Sequence, residues 1–101
     1  MTPYSFRLYV AGQTERTEAA VRDLRWLCES ALPGRYELEI IDVVERPDLA
    51  ESEGILIAPT VVRLMPLPQR WAFGDLSDRH RTAAALGFPV MEEAGSGGDR
   101  R

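Results

Sequence analysis

One cysteine, Cys28, one histidine, His80, and several closely spaced carboxylates are the side chains with which this 101-residue chain could do covalent or acid–base chemistry. Thiol–disulfide exchange needs a low-pKa thiolate at the start of a helix, usually with a second cysteine three residues on. Cys28 instead shares a helical stripe with Ala20, Val21, Leu24, Leu27 and Ala31, so a packing role is expected. A lone cysteine also excludes an internal disulfide and a cysteine-rich metal site. His80 stands between Arg79 and Arg81 with no second soft ligand to share a metal, which marks it as a solvent-facing helix residue. The pairs Glu51/Glu53 and Asp75/Asp78 lie in polar segments, where solvation and capping account for them. Acid–base catalysis would need one carboxyl of such a pair moved to a different pKa by burial. All 12 basic residues are arginine, so no amine is available for Schiff-base chemistry. The expectation is a protein with no catalytic residue, no cofactor and no metal.

Recognition is better supplied than catalysis. Arg63 and Arg70 flank a Pro66-Leu67-Pro68 connection, and arginine forks on loops pair well with carboxylates. Trp71 and Phe73, beside Arg70, could stack on bases or on a partner. At alternate strand positions they share one face, and the simplest expectation places both in the core. A formal charge of −4 argues against a nucleic-acid footprint, which needs clustered positive charge. No apolar run is long enough to span a membrane, and the first residues lack a basic region followed by an apolar one. A cytoplasmic protein is expected.

The elements that must position these residues follow from periodicity. Phe6, Leu8 and Val10 alternate with Arg7 and Tyr9 as a strand. Thr14 or Thr17 can cap the helix that carries Cys28, with Glu15 and Glu18 at its positive end, and Pro33-Gly34 stops it. A second strand runs from Tyr36 to Val44. Strand, helix, strand over this length is a βαβ unit with parallel strands and a right-handed crossover. Pro47 can open a short helix ending near Gly54. Val61 to Leu64 reads as a strand, with Gln69 to Phe73 as its antiparallel partner across the proline connection, since prolines cannot donate to a ladder. Asp75 or Ser77 can cap a last helix reaching Leu86, before Gly87 and Pro89. One domain over residues 1–91 is expected, with a tail at 92–101 too rich in glycine and charge to order itself.

Four motifs, in order, are shared with a known family. They are Leu8-Tyr9-Val10-Ala11-Gly12, Ile40-Ile41-Asp42-Val43, Ala58-Pro59-Thr60, and the stretch from Arg63 to Arg79 with its two prolines and Gly74-Asp75-Leu76-Ser77-Asp78. Over roughly residues 6–80 the chain resembles the KaiB family of circadian-clock proteins. The order βαβαββα is then a thioredoxin-like α/β fold with a mixed sheet, and Ala58-Pro59 falls where thioredoxins hold a cis-proline. The resemblance implies a non-enzymatic regulator that binds a KaiC-type ATPase and modulates its phosphorylation cycle. The family also resembles the N-terminal domain of a clock-output histidine kinase, so an adaptor acting on a kinase is the second reading. A thioredoxin-fold redox protein is the third.

The same resemblance implies a metamorphic chain. A dimeric or tetrameric ground-state fold and a monomeric thioredoxin-like fold share the βαβ half and differ after it, with Pro59, Pro66, Pro68, Ala85 and Gly87 in the part that changes. Tyr36, Glu37, Glu39, Arg63 and Arg70 are its candidate partner-binding residues. Glu39 stands where cyanobacterial members often carry a lysine, Ala85 where the family has a glycine, and Gly87 where it has an acidic residue. Alanine favours a helix over glycine by about 1 kcal/mol, roughly a five-fold shift in a two-state equilibrium. The thioredoxin-like form, with its helical ending, is therefore expected to gain population.

Overall fold

The computed structural model describes residues 3–89. The 92–101 tail lies outside the described residues, as do the last two positions of the expected domain. Seven elements follow in the order expected: β1 (Tyr4–Val10), α1 (Glu15–Ala31), β2 (Tyr36–Asp42), α2 (Pro47–Glu53), β3 (Thr60–Met65), β4 (Arg70–Phe73) and α3 (Arg79–Leu86). The four strands form one mixed sheet in the order β2-β1-β3-β4. β1 pairs parallel with β2 and antiparallel with β3, and β3 pairs antiparallel with β4.

Local chemistry explains the boundaries. Thr14, not Thr17, caps α1: its Oγ1 accepts from the Thr17 amide at 3.2 Å. Asp78 caps α3 by accepting from the Arg81 amide. Asp75, an expected cap, instead folds the preceding turn by accepting from the Ser77 amide at 2.8 Å. β2 stops two residues short of Val44 because the Asp42 carboxylate accepts from the amides of Val44 and Gly12, turning the chain and tying it to the β1–α1 loop. Gly54 and Gly87 end α2 and α3 in the left-handed conformation that favours glycine.

The two faces of the sheet are unequally covered. Phe6, Leu8 and Val10 of β1, with Val61 and Ala72, meet Ala20, Leu24 and Cys28 from α1, Leu32 just after it and Leu86 from α3. The opposite face has a smaller cluster of Tyr9, Ile41 and Val62, against which Leu49, Ile55, Leu64 and Trp71 pack in part. Only α2 accompanies that face, and it buries none of its own residues. Trp71 and Phe73 do share a face, but it is this thinly covered one. Phe73 remains 59% exposed, which corrects its assignment to the core. The Ala58-Pro59, Met65-Pro66 and Leu67-Pro68 bonds are cis.

Candidate functional site

The residues singled out in the second half converge around Arg63. Alternation along β3 puts Arg63 on the same face as Val61, pointing inward, and only 6% of it is exposed. It was expected on the surface of a recognition loop. It is instead a buried cation whose two terminal nitrogens bond main chain: Nη1 donates to the carbonyls of Leu86 at 3.0 Å and Gly87 at 3.3 Å, and Nη2 to Pro68 at 2.9 Å, while the buried Nε has no acceptor. Its positive charge thus lies at the C-terminal, negative end of α3 and also holds the proline connection. Arg70, directly opposite in the β3–β4 register, lies beside it. Gly87 fills the space between them, for a Cβ there would come within 2.8 Å of Arg63 Nη1 and 2.9 Å of Arg70 Nε. Arg63, Arg70, Pro68 and Gly87 are therefore one assembly. Ala85 packs nearby on the main core, whereas Pro59 is buried at the other end of β3.

A second clasp joins α3 to α1. Asp23 is 6% exposed although it is charged, and its Oδ1 accepts from Arg79 Nη2 at 3.2 Å. The Arg79 guanidinium lies 4.1 Å above the Trp26 ring centre, close enough for cation–π attraction. Phe88 completes the docking of this end by stacking on Phe6 at 5.2 Å.

The β1–α1 loop, where a thioredoxin places its reactive thiolate, is closed by hydroxyls. Thr17 Oγ1 donates to the Gly12 carbonyl at 2.8 Å, and the Thr14 hydroxyl contacts Thr17. Beside it an open groove of about 410 Å³ is lined in part by Arg16, Ala58, Pro59 and Asp75. Cys28 is fully buried as expected, and burial first, then the nearby Glu29 charge, pushes its thiol up to about 12. A thiol so protonated is a poor nucleophile near neutrality. His80 is exposed, and no cluster of metal-ligating side chains exists among the described residues. No described helix is long and apolar enough to cross a membrane.

The remaining candidates line β2, at the far edge of the sheet. Tyr36 donates its hydroxyl to Glu29 of α1, and that bond pushes the phenol up to about 12. Glu37 and Glu39 project from the other face, where Glu39 accepts from Arg7 Nε at 2.9 Å, its neighbour in the β1–β2 register. β2 and β4 are opposite edges, about 14 Å apart across three strand spacings, so Arg70 does not join these residues in one patch.

The family model of the KaiB domain matches residues 7–88, which takes in both clasps. The chain belongs to the KaiB family. Curated relatives called circadian clock oscillator protein KaiB are similar over nearly the whole length. The one from Acaryochloris marina is 42% identical over 94 residues, 93% of this chain and 89% of that protein. The one from Nostoc punctiforme is 41% identical over 95% of this chain and 90% of that protein. Among solved structures, the N-terminal domain of Synechococcus elongatus SasA superposes with a TM-score of 0.68 at 21% identity, covering 86% of each chain. Chloroplastic thioredoxin z follows the same path with a TM-score of 0.66 at 23% identity, covering 82% of this chain and 75% of that one. At such identities these structures establish the thioredoxin-like fold of this KaiB-family chain.

Sequence reasoning missed the Asp23–Arg79–Trp26 clasp and the surface around Leu56 and Ile57. A signal for the first existed. Asp23 lies three residues after Ala20 and four before Leu27, so it is an acid inside the apolar stripe of α1, and a buried acid needs a partner. Arg63 carried a similar signal as a cation at an inward strand position.

Proposed function

We propose that this protein is a non-enzymatic clock or timer regulator that binds a KaiC-type ATPase and modulates its phosphorylation cycle. The observation that carries this reading is the KaiB domain match over residues 7–88, supported by relatives named as clock oscillator proteins at about this length. The buried, high-pKa Cys28 and the cysteine-free β1–α1 loop speak for a binding role over a redox one. Tyr36, Glu37, Glu39 and Arg70 are the proposed contact residues, with Arg63 acting by holding the β3–β4 connection and the end of α3. Because Glu39 is acidic and paired with Arg7, the contact it makes should be to a basic group.

The segment from Pro59 through Pro66 and Pro68 to Ala85 and Gly87 is the proposed refolding part, with the oligomeric ground-state form as its other state. Mixing the purified protein with a KaiC-type ATPase from the same genome should give a stable complex in size-exclusion chromatography and alter the ATPase's phosphorylation time course. Ala85→Gly should weaken that complex about five-fold by depopulating the helical ending. Absence of any complex would overturn the reading.

A second reading, an adaptor for a histidine kinase, is favoured by the SasA N-terminal domain among the similar structures. A complex with a kinase in place of the ATPase would establish it.

A further inference from the structure

On the thinly covered face, at the free edge of the sheet, Leu56 is 94% exposed and Ile57 53%, next to Phe73. These residues, with Gly54 and Trp71, line an open apolar groove of about 520 Å³. Trp71 and Phe73 form its wall as a stacked pair, with ring centres 6.1 Å apart. Contiguous exposed apolar surface of this kind marks interaction sites in soluble proteins.

The ladder geometry adds a second, independent observation. The Gly74 amide donates to the Pro59 carbonyl at 2.8 Å, one step beyond the Thr60–Phe73 pair. In an antiparallel ladder, hydrogen-bonded and non-bonded pairs alternate. Ala72 and Arg70 therefore direct their main-chain groups inward to β3, whereas Trp71 and Phe73 direct theirs outward. β4 has no neighbour on that side among the described residues. The two residues whose rings wall the groove are thus the two that offer unpaired N–H and C=O groups at the edge.

We propose that β4 and its groove form a docking site for an extended peptide of a partner protein, added antiparallel to β4 as a fifth strand. Residues of the peptide opposite Trp71 and Phe73 make the main-chain bonds, and their side chains fall on the groove face. They must be apolar, and the residues between them are free to be polar. Charge fixes the flank. Exposed Glu53 adjoins Gly54 of the groove, and Asp75 lies two residues beyond Phe73, with Arg81 on the α3 side of the same edge. The Asp75 carboxyl is held below its usual range by the Ser77 amide, so it stays ionised. An antiparallel peptide lays its N-terminal end by Phe73, so that end should be basic. This site is independent of the KaiC-type reading and uses the edge opposite β2.

NMR amide titration with the peptide acetyl-Arg-Arg-Val-Thr-Leu-Thr-Gly-amide tests this directly. Saturable shifts centred on Trp71 to Phe73 and on Leu56 and Ile57 are expected. Replacing Val and Leu by Ser, replacing both Arg by Glu, or introducing Phe73→Ser should each weaken binding about ten-fold or more. Methylating the main-chain nitrogens of Val and Leu should abolish it, while methylating those of the two Thr should leave it intact. That last contrast holds even if the Phe73 variant misfolds. Absence of saturable binding, equal binding of the Glu peptide, or indifference to the methylation pattern would overturn the proposal. So would self-association through β4 in the absence of peptide, which would make a second copy the occupant.

Discussion

The two halves of this molecule share one apolar core but differ in how far they depend on directional contacts. In the βαβ half, β1 and α1 bury Phe6, Leu8, Val10, Ala20, Leu24, Leu27 and Cys28 almost completely. That stabilisation is spread over many side chains and does not depend on direction. In the second half, β3 buries Thr60 to Arg63 and Leu76 joins the core, whereas α2 buries nothing fully, β4 buries only Ala72, and α3 buries only Thr82 and Leu86. Beside the apolar contacts of Leu86 and Phe88, α3 is fastened by a few directional ones: the Arg63 bonds to Leu86, Gly87 and Pro68, and the Asp23–Arg79–Trp26 clasp. A diffuse core loses a fraction of its strength with any one side chain. A clasp can be undone at a single residue, so α3 should be more sensitive than α1 to one substitution.

The largest test of this contrast is Arg63→Met. It removes three charge-assisted bonds and leaves carbonyls unpaired, so a loss of about 3 kcal/mol is expected in urea unfolding. If the contrast holds, amide exchange should accelerate in α3 and β4 well before α1. Uniform acceleration would mean that the halves unfold as one.

Gly87→Ala comes next, at about 2 kcal/mol. It combines the cost of an L side chain at φ 69° with a Cβ pressed between Arg63 and Arg70. Thermal melting measures it, and the loss should shrink in an Arg63→Met background, because the obstructing guanidinium is gone.

Asp23→Asn should cost about 1 kcal/mol, reduced from a fully buried pair because Arg79 is partly open to solvent. A double-mutant cycle with Trp26→Phe should show coupling, since both contacts hold the same guanidinium. Simple additivity would reduce the clasp to two unrelated contacts.

The smallest effect concerns pH and the βαβ half. The Asp42 carboxyl is held below its ordinary value near 3.8 by the Gly12 amide first and the Val44 amide next. A depressed carboxyl contributes its stabilisation fully above that ordinary value, and loses it as pH falls through the lower folded value. The Gly12 and Val44 amide shifts should therefore be flat between pH 5 and 7 and move together only below about 4. Movement at higher pH would show that another group governs the loop.

The same contrast governs how much could be read from the residues. α1 was legible because six apolar positions share a stripe, and the parallel β1–β2 pairing followed from the intervening helix. The order of the later elements was legible from prolines and glycines, which punctuate whatever the tertiary environment. The side of the sheet that β4's aromatics occupy was not. Period two places Trp71 and Phe73 together but cannot say which face a seven-residue α2 will leave open. Arg63 was misplaced for a related reason: its acceptors are carbonyls at the end of α3, and main-chain acceptors leave no mark in a sequence. Tyr36, Glu37 and Glu39 were legible as strand residues, but their pairing with Glu29 and Arg7 depends on register and helix placement.

The position of β1 inside the sheet has a consequence for how the chain can be put together. In the βαβ half alone, β1 has β2 on one flank and nothing on the other, and β3 fills that vacancy antiparallel. Everything from Thr60 onward is laid alongside a finished unit, hinged through the connection after Asp42. Topologically, then, the second half is added to one flank of the first, at the edge that β1 leaves open.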